Sequence, residues 1–261
     1  MKEKFLAFVR KTGKRTIDGY TKFTSFLSFL KESIKSSFTP RWYYKIIKEQ
    51  IIEIGFYSLP VVGMTAFFTG AVLALQTYAG CSRFGAEMTV PTVVILGITR
   101  ELGPTIVGLM VAGRIAASIA AEIGTMKVTE QIDALKTLST NPVRYLVVPR
   151  VIASTITVPI LVMIADVIGV LGGTVASVSS LGFSFYSYVK NSVDFLTFQD
   201  VYSGIVKAIV FGFIIAIVGC YNGYNSKSGA EGVGKATTNA VVGSCILILI
   251  FNYLITQLFF I

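Results

Sequence analysis

Four charged residues stand where charges are costly. Arg100 and Glu101 lie side by side in one apolar segment, Asp166 lies in the next, and Lys207 in the one after. A charge within hydrocarbon normally faces the protein interior or a watery cavity and finds a partner there. Two readings stay open. The four residues form a polar cluster open towards the outer membrane face, or they are structural ion pairs that staple a bundle. Arg114 and Glu122 lie further in and do not belong to the group.

Catalytic chemistry has little to build on. The chain contains no histidine, which removes Ser–His relays, HExxH metal sites and imidazole acid–base catalysis. The carboxylates are few and unpaired by spacing. Cys81, Cys220 and Cys245 fall in separate segments without metal or redox spacing. No catalytic residue, metal or cofactor is expected on this chain. Residues 229–235, GAEGVGK, match the spacing of a phosphate-binding P-loop, but Ala236 stands where Ser or Thr should hold magnesium. The motif also requires a preceding strand in a soluble α/β domain. The segment reads instead as a Gly-rich, basic inner loop, with Thr237, Thr238 and Asn239 near the start of the last span.

The elements that must position these charges are membrane helices. Of 261 residues 53% are hydrophobic and 14% charged, and the mean hydropathy is +0.71. Residues 54–82 and 236–261 contain no charge at all. A helix needs about 20 apolar residues to cross a bilayer core, and the alternation of a barrel strand is absent. The fold class is therefore an all-α integral membrane protein with five spans, at 54–79, 90–126, 151–178, 201–221 and 240–261. The second span is 37 residues long. It would reach about 55 Å, so it either projects from the membrane or kinks at Gly103-Pro104.

Basic residues set the orientation. Residues 1–50 carry twelve of the 23 Lys and Arg. Lys127, Lys136, Arg144, Arg150, Lys227 and Lys235 fall on the same side, whereas the opposite loops hold only Arg83 and Lys190. The positive-inside rule places the N-terminus in the cytoplasm and the C-terminus outside.

Within the second span, Gly108, Ala112, Ala116, Ala120 and Gly124 recur every four positions as a smooth ridge, with Gly113, Ala117 and Ala121 beside it. Small residues let membrane helices approach closely, so the ridge is expected to pack on another helix, within the subunit or across a dimer. Residues 128–138 then form a short amphipathic helix on the inner side. Val128, Ile132 and Leu135 make its apolar ridge, flanked by Glu130, Asp133 and Lys136, and the turn Ser139-Thr140-Asn141-Pro142 ends it.

The N-terminal region, residues 1–53, is basic and amphipathic. Tyr20, Phe23, Leu27, Leu30 and Ile34 form an apolar stripe, with Lys22, Ser25, Ser28 and Glu32 on the far side. Phe29 falls among the polar residues and breaks the pattern. Pro40 separates this helix from a second interfacial one around residues 42–52. Such helices lie in the headgroup layer, so the net charge of +9 is directed at anionic lipid and not at nucleic acid.

Two blocks carry a family resemblance. RELGPTIVGLMVAGRIAASIAAEIGTM with VTEQIDALKTLSTNPVRYLVVPR, and CYNGYNSKSGAEGVGKATTNAVV at 220–242, resemble the MlaE-type (YrbE-type) permeases of MCE-associated ABC transporters. The similarity covers about residues 45–261, and makes 54–261 a five-span permease domain with a coupling helix near 128–138. The resemblance implies a homodimer in the bacterial inner membrane. Its implied partners are a separate cytoplasmic ATPase that uses the ATP, and an MCE-domain protein on the outer side. It implies phospholipid as the substrate and a contribution to outer-membrane lipid homeostasis. Under that implication Arg100, Glu101, Lys207 and Asp166 line a lipid cavity in which Arg100 or Lys207 meets the phosphate. Asp166 is its outlying member. Glu130, Ile132, Asp133 and Leu135 would dock the ATPase. An importer-type coupling loop would carry a glycine after Asp133-Ala134, where Leu135-Lys136 stand. An ion-coupled carrier or channel would use the same intramembrane charges, but such carriers show internal repeats and none is visible here. A lipid-modifying enzyme is disfavoured by the missing histidine.

Overall fold

A computed structural model describes residues 2–37 and 43–260, with side chains from residue 17 onward except 18, 19 and 22. Pro40 and Trp42, which were to separate and open the second interfacial helix, and the side chain of Lys22 lie outside the described residues. Among the described residues there is no strand. Backbone N–H and C=O groups surrounded by lipid have no water to bond, so each apolar run closes its hydrogen bonds within itself.

Helix α1 (Lys2–Ser37) is followed by α2 (Tyr44–Gly55), which runs through a tight turn at Phe56–Ser58 into α3 (Leu59–Cys81). The expected boundary between residues 53 and 54 therefore falls within α2. The second span is α4 (Val90–Gly97), a wide π turn (Ile98–Leu102), α5 (Gly103–Val111), a second π turn (Ala112–Ala116) and α6 (Ala117–Val128). After α7 (Gln131–Thr137), a third π turn (Val143–Val147) leads into α8 (Val148–Leu181). Then come α9 (Phe185–Asp194), α10 (Phe198–Tyr224) and α11 (Ala230–Phe260). Prolines stand in the first turns of α3, α4, α5 and α8.

Among the described residues, five helical stretches are long and apolar enough to cross a membrane: Tyr44–Phe84, Glu87–Val128, Val143–Leu181, Phe198–Tyr224 and Ala230–Phe260. The chain is an all-α multi-pass membrane protein. The last helix starts ten residues before the expected span at 240, so the Gly-rich inner loop is corrected: GAEGVGK is the opening of α11. Gly229 turns the chain with a φ of 87°, and the Glu231–Lys235 pair then supports the first turns at helical spacing. The extramembrane helix α9, not anticipated from the sequence, buries Tyr188 in contact with Phe183 at the end of the bundle opposite α7.

Helix α10 is the hub. It packs on α8, on the second span and on α11, and the contacts are made by small residues. Gly212 abuts the Ser154 carbonyl of α8. Gly219 abuts Ala116, and Gly223 abuts Ala120. The small-residue ridge of the second span thus faces α10 and α11 inside the same subunit: Gly108 meets Phe211 and Ile248, Gly124 meets Ser226 and Val233, and Ala112, Ala116 and Ala120 are fully buried. Helices α3 and α8 approach as closely, with Gly70 against Gly169 and Gly172 against Phe67.

Helix α1 meets the bundle through an unexpected face. Phe29, which broke the amphipathic pattern, is buried against Tyr221 and Tyr224, and Phe26 stacks edge-on against Tyr221 at 5.1 Å. Of the apolar stripe, Tyr20, Phe23, Leu27 and Ile34 stay exposed, whereas Leu30 is partly buried against the core.

A methyl group on Gly172 would collide with the Phe67 carbonyl, whereas one on Gly234 meets nothing. Gly172→Ala should therefore lower the thermal stability of the purified protein by about 1–3 kcal/mol, the usual cost of overpacking. Gly234→Ala should leave it unchanged or raise it by up to about 1 kcal/mol through helix propensity. Melting curves in detergent distinguish the two.

Candidate functional site

The site begins with a proline. Pro104 has no N–H, and its ring would crowd the carbonyl of Arg100 in a regular α-turn. The helix widens instead: the Gly103 N–H reaches back five residues to the Ile98 carbonyl. Lys207 of α10 donates to the Arg100 carbonyl oxygen at 2.7 Å and to Glu101 Oε1 at 2.7 Å. Gly204, one turn earlier on α10, lets that helix come close to the Thr99 carbonyl.

Glu101 also accepts from Thr256 Oγ1 at 2.7 Å on Oε1 and from Asn252 Nδ2 at 2.9 Å on Oε2, both on α11. Arg100 Nε donates to Asp200 Oδ1 at 2.6 Å, and its guanidinium lies 4.6 Å from the centre of the Phe260 ring. Asp200 is held by its own helix end, accepting on Oδ2 from the Thr197 backbone N–H and hydroxyl. The cluster therefore ties the second span to α10 and α11 with two ion pairs. Each pair has one closed and one open partner. The side chains of Lys207 and Asp200 are 0% exposed, against 39% for Glu101 and 37% for Arg100.

Asp166 is not part of this cluster, which corrects the expectation of a single group of four. The rotation of α8 turns its carboxylate against Gly103, on the side of the second span away from α10. Its Oδ1 has no hydrogen-bond partner among the described residues. Of the other intramembrane charges, Arg114 donates to Ser58 Oγ, and Glu122 pairs with the buried Arg150 at 2.6 Å. Leu102, with Phe68, Thr69, Val72, Leu73 and Gln76, lines an apolar groove of about 410 Å³ between α3 and the second span.

At the opposite end, the expected helix at 128–138 is broken. Val128 ends α6, Glu130 adopts a left-handed φ of 58°, and only Gln131–Thr137 forms α7. Ile132 is buried in the core of this same chain and Leu135 packs against it, so these two apolar residues are not free for a partner. A helix of seven residues at the membrane surface keeps its place only by burying its apolar side. The free face presents Glu130, Asp133 and Lys136, with Leu138 at its end. Asp133 accepts from Lys136 at 2.8 Å, and that hydrogen bond raises the lysine above its ordinary pKa.

A family model of MlaE permeases matches residues 47–258, a region that contains every residue of the charge cluster except Phe260. The chain belongs to the MlaE permease family. It is 59% identical over 248 residues to a probable ABC transporter permease protein of Rickettsia bellii, covering 95% of this chain and 96% of that one. It is 31% identical over 256 residues to the intermembrane phospholipid transport system permease protein MlaE of Haemophilus influenzae, covering 97% of both. It is also 35% identical over 212 residues to the chloroplastic protein TRIGALACTOSYLDIACYLGLYCEROL 1 of Arabidopsis thaliana, covering 81% of this chain and 61% of that one.

The sequence reading of this MlaE-family chain missed Asp200, Asn252 and Thr256. Asp200 was signalled by Thr197-Phe-Gln-Asp200, a capping box ahead of an apolar run. Asn252 and Thr256 lie four apart in an otherwise apolar segment, which puts them on one helix face.

Removing one partner of a buried ion pair strands the other. Lys207→Met should destabilise the protein by about 3 kcal/mol, the low end for such a change because Glu101 stays partly exposed. Adding Glu101→Gln to it should recover most of that loss. Denaturation of the two single variants and the double variant, read as a cycle, checks this.

Proposed function

We propose that this chain is the membrane subunit of an ABC transporter that moves phospholipid between the inner membrane and an MCE-domain partner, contributing to outer-membrane lipid homeostasis. In this reading the chain works as a homodimer in the bacterial inner membrane, and ATP is used by a separate cytoplasmic ATPase. The chain itself binds no cofactor. Its N-terminus lies in the cytoplasm and its C-terminus outside, because Lys and Arg crowd the end of the bundle that carries α1, α7 and the α10–α11 connection. The Haemophilus relative, which carries the name of a phospholipid transport permease, supports the choice of cargo.

The observation that carries the reading is the open half of the charge cluster. Arg100 and Glu101 are more than a third exposed, and the apolar groove begins at the next residue, Leu102. A phospholipid has the matching form: a charged phosphate for Arg100 to meet, and apolar tails for the groove. Asp166 takes no part in headgroup contact in this scheme. The ATPase meets the polar face of α7 and the projecting Leu138, while Ile132 and Leu135 anchor that helix to the bundle.

Photo-crosslinkers at Leu102 and at Val72, both in the groove, should capture phospholipid. Capture no better than at Leu249, an exposed position on α11, would sink the lipid assignment. For coupling, Leu138→Asp should impair ATPase binding with normal membrane insertion, since Leu138 is 74% exposed and holds nothing in place. Ile132→Asp should instead reduce the yield of the permease itself. Co-purification and expression level separate these two outcomes.

A further inference from the structure

At the basic end of the bundle, away from the charge cluster, α1, the end of α10 and the start of α11 enclose a cavity of about 690 Å³. Each of its three sides contributes polar residues. Helix α1 contributes Thr21 and Ser25, the α10–α11 connection contributes Ser226 and Lys227, and α11 contributes Lys235 and Asn239. Among the described residues no carboxylate lines it. Lys227 makes no ion pair among the described residues, and Lys235 shares only the exposed Glu231 on its own helix, a pairing worth little in water. Ser226 is 6% exposed, and its hydroxyl lies buried beside Gly124 of α6, so the hydroxyl on offer is that of Ser25. Helix α11, 31 residues long, begins at this cavity, and the first N–H groups of a long helix add partial positive charge.

The chemistry is that of an oxyanion site: two lysines, hydroxyl and amide donors, and a helix start. Its position selects the source of the anion. Along α1 the polar residues Thr21 and Ser25 face the cavity, while Tyr20, Phe23 and Leu27, on the same turns, are exposed and apolar. A soluble phosphate has no use for that stripe. A lipid does, because its acyl chains lie along an interfacial helix while its headgroup reaches the polar side.

We propose that this cavity binds the phosphate headgroup of an anionic phospholipid from the leaflet at the basic end of the protein. The site is separate from the Arg100–Lys207 cluster and does not depend on what that cluster carries. A bound headgroup bridges α1 to the α10–α11 connection through Lys227 and Lys235, and so holds the amphipathic helix against the bundle. It also accounts for the two lysines of GAEGVGK and its flank without any nucleotide.

The test uses the full chain in nanodiscs of phosphatidylcholine doped with phosphatidylglycerol, and native mass spectrometry to count retained lipids. The wild-type chain should retain phosphatidylglycerol in preference to phosphatidylcholine. Lys227→Gln with Lys235→Gln should weaken that retention about thirtyfold, as expected for two lost surface cations. Lys227→Arg with Lys235→Arg should restore it. Both lysines are exposed, so the melting temperature should not move. Retention unchanged in the glutamine variant would overturn the site. Displacement of phosphatidylglycerol by millimolar inorganic phosphate or ATP would overturn the lipid assignment and leave a soluble-anion site. Lipid crosslinking at Leu102 should be the same in all variants, which keeps this result apart from the transport reading.

Discussion

Inside the bilayer core a polar group has only the protein to bond to, and Pro104 leaves one such group without its usual partner. The carbonyl of Arg100 loses a helical hydrogen bond, and the helix widens at Ile98–Leu102 to relieve the crowding. Lys207 fills the gap, and once its amine is buried it requires Glu101. Glu101 in turn draws in Asn252 and Thr256. One missing N–H thus organises contacts among three spans. The same widening turns Arg100 towards Asp200, whose carboxylate is already fixed by the capping box of α10. Charges that would be prohibitive one at a time become tolerable as a network, because every buried atom of the two pairs meets an opposite charge or a dipole.

The remainder of the bundle depends on absence of bulk. Helix α10 is held between α8 and the second span by glycine and alanine contacts at Gly212, Gly219 and Gly223. In lipid the driving force for such contacts is close packing, since tails and side chains are equally apolar. The charge cluster lies at one end of α10 and the connection to α11 at the other. The two regions of polar chemistry in this chain are therefore mounted on a single, fully packed helix, and each opens to a different membrane surface.

Two apolar patterns looked alike in the sequence and met different surroundings. Most of the stripe on α1 stays exposed, and the residue that spoiled it, Phe29, became the anchor. The ridge on α7 turned inward, so Ile132 holds the helix in place and the polar side remains for a partner. Amphipathicity states that a helix has an apolar face; it does not state whether lipid, the same chain or another chain covers it.

The sequence alone determined the class, the five spans, the basic end and the small-residue ridge, because hydropathy and helical period are properties of neighbouring residues. It also marked Arg100, Glu101 and Lys207 as residues that must find partners, since no isolated charge rests in hydrocarbon. Only the tertiary structure decided which partners. Asp166 sits at a depth compatible with the cluster, yet the rotation of α8 points it at Gly103, while Asp200, Asn252 and Thr256 were brought in from helix ends a hundred or more residues away in the chain. Rotation about a helix axis leaves every local pattern unchanged. It is set by which small residues allow two backbones to touch, and that is a property of pairs of helices and not of either sequence segment.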